Sequence, residues 1–105
     1  MALIRSNRKS GDLDNIHSTI KVNVTDTTAT TTVPNVSVGD VVMIMAGVTH
    51  ENITLSDMQL LSYDDGYTFN TYFQLKCILF AKVTGANPSY TPASEAWTSC
   101  TKFEI

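Results

Sequence analysis

Side chains that alternate apolar and polar every second residue constrain this chain more than any other feature. A strand projects successive side chains to opposite faces, so a period of two marks a sheet with one face buried. Ser18 to Thr25 shows it plainly: Ile20, Val22 and Val24 share one parity, and Lys21 and Asn23 hold the other. Nowhere do apolar residues recur at i, i+3, i+4 and i+7 for three turns, the spacing an amphipathic helix needs. The bias towards Thr, Val, Ile, Tyr and Phe reinforces the reading, because β-branched and aromatic residues suit a pleated surface.

The punctuation then divides the chain. Asp26 to Val33 is Thr-rich and ends at Pro34, which donates no ladder hydrogen bond, so an edge strand is expected there. Gly39-Asp40 supplies a turn before Val41-Val42-Met43-Ile44-Met45-Ala46-Gly47-Val48, which is apolar on both faces. Eight such residues, rich in β-branched types, predict a central strand with its outer face against a partner chain. Glu51 to Leu55 and Met58 to Tyr63 are short strands separated by Ser56-Asp57, and Asp64-Asp65-Gly66 predicts a tight hairpin. Tyr67 to Val83 carries Phe69, Phe73, Leu75, Cys77, Leu79, Ala81 and Val83 on one face. Tyr72, Gln74, Lys76, Ile78, Phe80 and Lys82 take the other. Seventeen residues are long for one strand, so a bend near Asn70, or two strands, is expected. Gly85 to Pro92 reads as a loop with an exposed Tyr90, and Trp97 to Ile105 as a final strand.

Together these predict an all-β protein: an antiparallel β-sandwich of jelly-roll or immunoglobulin-like type. Residues 1–15 form an N-terminal arm and residues 16–105 a single domain. A chain this size buries roughly 65% of its unfolded surface, which is a thin core and favours added burial against further copies.

Charge separates the arm from the body. Arg5, Arg8 and Lys9 fall in the first ten residues; the rest of a chain of net charge −3 therefore carries −6. Such a body is not built to attract nucleic acid. The arm reads either as a solvated terminus or as a tail that docks on an acidic neighbour. No apolar run reaches the ~18–20 residues that cross a bilayer, and the first residues lack the apolar stretch of a secretory signal. Folding in a cytoplasm is expected, where Cys77 and Cys100 are small buried thiols rather than a bridge.

Chemistry is sparse. Only His17 and His50 offer an imidazole; Glu51 beside His50 provides an orienting carboxylate, with a solvated turn as the simpler reading. Two histidines and two strand-borne cysteines at unrelated spacings do not make a zinc site. Asp12-Leu13-Asp14 and Asp64-Asp65 lack calcium-loop spacing, and the five glycines are scattered singly rather than gathered into a phosphate loop. The expectation is a non-enzymatic protein without cofactor or metal. Tyr67, Tyr90 and Trp97 lie near predicted loops, where aromatic faces stack on sugar rings, join interfaces or close the core.

The segment Val38-Gly39-Asp40-Val41-Val42-Met43-Ile44-Met45-Ala46 is followed by Ile78-Leu79-Phe80-Ala81-Lys82-Val83-Thr84-Gly85-Ala86-Asn87-Pro88-Ser89-Tyr90-Thr91. With Trp97 and Phe103 in the last strand, residues 36 to 105 resemble small β-sandwich modules of tailed-bacteriophage virion proteins. Standing alone with a short basic arm, the chain is more similar to an accessory head protein than to a complete receptor-binding protein. The resemblance implies a capsid decoration protein: a homo-oligomer, expected as a trimer, that binds the major capsid protein and places Arg5, Arg8 and Lys9 on a neighbour. It would be made in the host cytoplasm and carried on the virion, with neither membrane nor nucleic acid as partner. The alternative is a carbohydrate-binding module of a tail or head fibre that holds a cell-surface glycan through Tyr67, Tyr90 or Trp97.

Overall fold

The computed structural model describes residues 17–68 and 74–104, with side chains from residue 28 to 102 within those bounds. Among the described residues eight strands follow one another: β1 (His17–Thr27), β2 (Thr31–Thr32), β3 (Val41–Ala46), β4 (Ile53–Ser56), β5 (Met58–Asp64), β6 (Cys77–Val83), β7 (Ser89–Pro92) and β8 (Ala96–Glu104). A single 3-10 turn at His50–Asn52 separates β3 from β4. The strands form two antiparallel sheets packed face to face, one ordered β1-β8-β3-β6-β5 and the other β2-β7-β4.

That order decides between the two expected topologies. β1 pairs with β8, β2 with β7 and β3 with β6, so the first half of the chain lies along the second as a doubled ribbon. The ribbon is rolled until β3 also meets β8 and β4 meets β7. This is the double Greek key of a jelly roll, not the immunoglobulin order. One strand departs from the plan. β5 follows β4 directly but hydrogen-bonds to β6 in the other sheet. The switch occurs at Asp57, whose φ of 56° breaks the extended run. Asp57 tolerates this because its carboxylate accepts the backbone N–H of Asn87 at 2.9 Å.

Period two sets the core. β3 buries Val42, Ile44 and Ala46 and leaves Val41, Met43 and Met45 half-buried on the outside. β6 buries Cys77, Leu79, Ala81 and Val83, with Ile78 and Phe80 outward. From the opposing sheet come Ile53, Tyr90 and Pro92, and Val33 packs with them. The Gly39-Asp40 turn behaves as its sequence suggests. Gly39 takes a φ of 99°, Asp40 Oδ2 accepts the Ser37 N–H at 2.8 Å, and the Lys102 ammonium lies 3.4 Å from the same oxygen. The Ser37 hydrogen bond is the main reason the Asp40 carboxyl sits below its ordinary pKa. Desolvation opposes it, and Lys102 adds to it.

Several local expectations are corrected. Gly85 to Pro92 is not wholly a loop: Ser89–Pro92 is the central strand of the three-stranded sheet. Tyr90 is fully buried there, because Ser89 and Thr91 take the other parity. Asp64-Asp65-Gly66 makes no tight hairpin. Asp64 Oδ1 accepts the Gly66 N–H at 2.8 Å in a local turn, and β6 begins only at Cys77. The expected bend near Asn70 lies outside the described residues. The Thr-rich segment is not one edge strand: its start, to Thr27, ends β1 opposite Ala96, and Thr31–Thr32 pairs with Tyr90 and Ser89 in the other sheet. Cys77 and Cys100 are both free and buried. Their strands flank β3 on opposite sides, so two strand spacings of ~4.8 Å separate them, beyond the reach of a disulfide.

Candidate functional site

The outer face of the five-stranded sheet is where the sequence places a second set of apolar side chains, opposite in parity to the core. Cross-strand register arranges them in rows. Ser62, Phe80 and Met43 form one row across β5, β6 and β3, and Asp64, Ile78 and Met45 form the next. Between these rows lies a groove of about 360 Å³, lined by Met43, Ser62, Tyr63, Asp64, Tyr67, Ile78 and Phe80. A register shift between Leu60 and Ser62 precedes it on β5. Such bulges bend the strand and re-aim the side chains beyond them. Leu60, Leu61, Tyr63 and Tyr67 are large apolar or aromatic side chains left exposed in this part of the surface.

Beside the groove, His50 and Asp65 form a clamp. Asp65 Oδ1 accepts the His50 backbone N–H at 2.9 Å, and Oδ2 lies 2.6 Å from Nδ1 of the same residue. The imidazole stacks on Tyr63, ring centroids 3.5 Å apart and planes 17° from parallel. The clamp fastens the 3-10 turn to the chain leaving β5. Burial by itself raises the Asp65 pKa, but hydrogen bonds from the His50 side chain and backbone and from the Cys77 thiol outweigh it. The carboxyl therefore lies below its ordinary value of 3.8. Desolvation first, and then the Asp65 carboxylate, push the Cys77 thiol up to about 12. A thiol held protonated in that way is a poor nucleophile.

The expected site residues are scattered. Tyr67 lines the groove and is 37% exposed. Tyr90 is instead in the core, its hydroxyl 3.2 Å from Thr98 Oγ1, and cannot stack on a ligand. Burial raises its pKa above the ordinary tyrosine value, with the Thr98 hydrogen bond opposing. Trp97 is half-buried on β8 and does not line the groove. Arg5, Arg8 and Lys9 lie outside the described residues, as does the side chain of His17. His50 does pair with a carboxylate, but with Asp65 rather than the exposed Glu51. Sequence reasoning missed Tyr63, Asp65, Ser62 and Met43 as neighbours. The outward parity of Ile78 and Phe80 was the available signal.

Among the described residues no three His, Cys, Asp or Glu side chains converge as metal ligands. No helix among them is long and apolar enough to cross a membrane, which leaves strand-built crossings unaddressed. Compared with models of known families, with curated proteins and with solved structures, the chain matches none.

Proposed function

We propose that this chain is a non-enzymatic structural protein of a bacteriophage particle, a capsid decoration or auxiliary head protein that oligomerises and binds capsid subunits. One observation carries the reading: the central strands β3 and β6 present Val41, Met43, Met45, Ile78 and Phe80 on the face turned away from the core. A row of half-buried apolar side chains on a jelly-roll sheet gains by leaving water against another protein, at about 25 cal/mol per Å² of apolar area. Jelly rolls serve as capsid and lectin domains, which agrees with the sequence resemblance but decides nothing alone. Several copies, expected as a trimer, would multiply weak contacts into a firm grip on the particle.

Sedimentation velocity over a range of concentrations tests the proposal. Association to a multiple of the 11.5 kDa chain is expected, and Met45→Lys is expected to lower it. A single monomeric species at every concentration overturns the assembly reading. Removing residues 1–10 is expected to weaken attachment to particles without unfolding the domain. The carbohydrate-binding alternative keeps one support, the exposed Tyr67 at the groove, and loses Tyr90 to the core.

A further inference from the structure

The groove on the outer face has a composition that assembly does not explain. Among the described residues the aromatics Tyr63, Tyr67 and Phe80 line it, together with the thioether of Met43 and the branched chain of Ile78. Its polar members are the Ser62 hydroxyl and the Asp64 carboxylate, one on each side of Tyr63 along β5. Among the described residues none that lines it is basic.

A sugar is poorly served by such a lining. Pyranose recognition needs several donors and acceptors aimed at hydroxyl groups, whereas Met43, Ile78 and Phe80 offer apolar surface. A free carboxylate ligand is worse served, because Asp64 would repel it. The combination suits an organic cation. Aromatic rings attract a positive charge electrostatically, a carboxylate neutralises it, and aliphatic and thioether groups pack against its methyl shell. The chain's net charge of −3 adds a weak general attraction of the same sign. At about 360 Å³ the groove falls within the range of small-molecule sites. We infer that it binds a methylated ammonium group, with Tyr67 and Phe80 as the aromatic lining and Asp64 as the counter-charge. The groove shares Met43, Ile78 and Phe80 with the face proposed for assembly, so a bound ammonium and a second protein compete for it, and the inference needs no assembly to be tested.

The probe is choline chloride, titrated into the whole protein and followed by calorimetry and by NMR shifts. The control is 3,3-dimethylbutan-1-ol, which has choline's shape without its charge. Choline is expected to bind roughly 2- to 30-fold more tightly than the alcohol, the span that cation–aromatic attraction supplies between exposed and desolvated sites. Tyr67→Leu and Asp64→Asn are each expected to weaken choline several-fold. Both variants are placed to leave the fold intact: Tyr67 is exposed, and an asparagine oxygen can still accept the Gly66 N–H. Equal affinity for choline and the alcohol would show a merely apolar hollow and overturn the inference. So would a methyl glycoside that binds where choline does not, or a choline affinity unchanged in both variants. Co-sedimentation with phosphatidylcholine vesicles, against phosphatidylglycerol vesicles, distinguishes a lipid headgroup from a soluble or polymer-borne ammonium. Either source satisfies the proposal. Failure of association in the mass measurements leaves this binding result unaffected, so the two readings fail separately.

Discussion

Replacing Tyr90 separates a core residue from a ligand contact. Tyr90 lies at the centre of β7, fully buried, opposite Thr31 on one side and Leu55 on the other. Its ring fills space between the sheets and its hydroxyl meets Thr98 Oγ1 at 3.2 Å. Truncating an aromatic ring in such a place costs about 3–5 kcal/mol, from lost transfer energy and the cavity left behind. A chain of 105 residues is expected to have about 5–15 kcal/mol in total, so Tyr90→Ala removes a large share. At about 4–8 °C per kcal/mol for a domain near this size, the midpoint falls by roughly 12–40 °C. Tyr90→Phe keeps the ring and loses only the hydroxyl contact, at about 0.5–1.5 kcal/mol. Urea titration and thermal melts followed by circular dichroism measure both variants, and Thr98→Val added to Tyr90→Phe tests whether the two losses are one interaction. If Tyr90→Ala keeps the wild-type midpoint, the placement of this ring in the core is wrong.

The remaining expectations concern the clamp, the thiols and one glycine. Asp65 has its folded pKa below the ordinary 3.8, so the stability from its ionised form is complete above that value and drains as pH falls through the lower folded one. Melting midpoints of the wild type and Asp65→Asn should therefore converge as the solution is acidified below pH ~4; a gap of constant size would refute the charge-based account. Cys77 and Cys100 are buried, with both thiols pushed up to about 12, chiefly by desolvation, so labelling by a thiol reagent should proceed only at the unfolding rate. Stoichiometric labelling within seconds in native buffer contradicts this. At Gly85 an added methyl would stand 2.6 and 2.7 Å from the two carboxylate oxygens of Asp57. Gly85→Ala should accordingly cost about 1–3 kcal/mol by denaturant titration, and a neutral result would show that the Asp57 corner moves freely.

What was legible in the sequence follows from the physics of each signal. Alternation is a local property, so the shared face of Cys77, Leu79 and Ala81 could be read without any knowledge of topology, whereas Val41 to Ala46, apolar on both faces, did not show which side turns inward. The break at Ser56-Asp57 and the Gly39-Asp40 turn were equally local. Pairing is not local, and β7 shows the cost. Ser89-Tyr90-Thr91-Pro92, with Asn87-Pro88 ahead of it, carries the composition of a loop, and only the neighbours β2 and β4 make it a strand. β8 shows the same limit. Its inward positions hold Thr98 and Cys100, opposite Ala46 and Ile44, although Trp97 looks the stronger core residue. The groove was hidden for a related reason: a tight Asp64-Asp65-Gly66 hairpin was expected, whereas the strand that switches sheets after β4 sets Ser62 opposite Phe80 and Asp64 opposite Ile78. Asp65 as the partner of His50 needed that switch as well.

The doubled ribbon also governs how the molecule must form. His17 stands opposite Glu104 and Val22 opposite Cys100, so the outermost pairing joins residues separated by nearly the whole described length. Bringing such distant positions together carries a large loop-closure entropy before any ladder bond repays it. The β4–β5 corner and the β5–β6 pair, being close in sequence, can organise first, and the terminal seam closes last. Linking residue 104 to residue 17 through a short connector, and opening the chain elsewhere, would turn that slow seam into a local hairpin. The finished architecture would be unchanged, but the order of its assembly would be reversed.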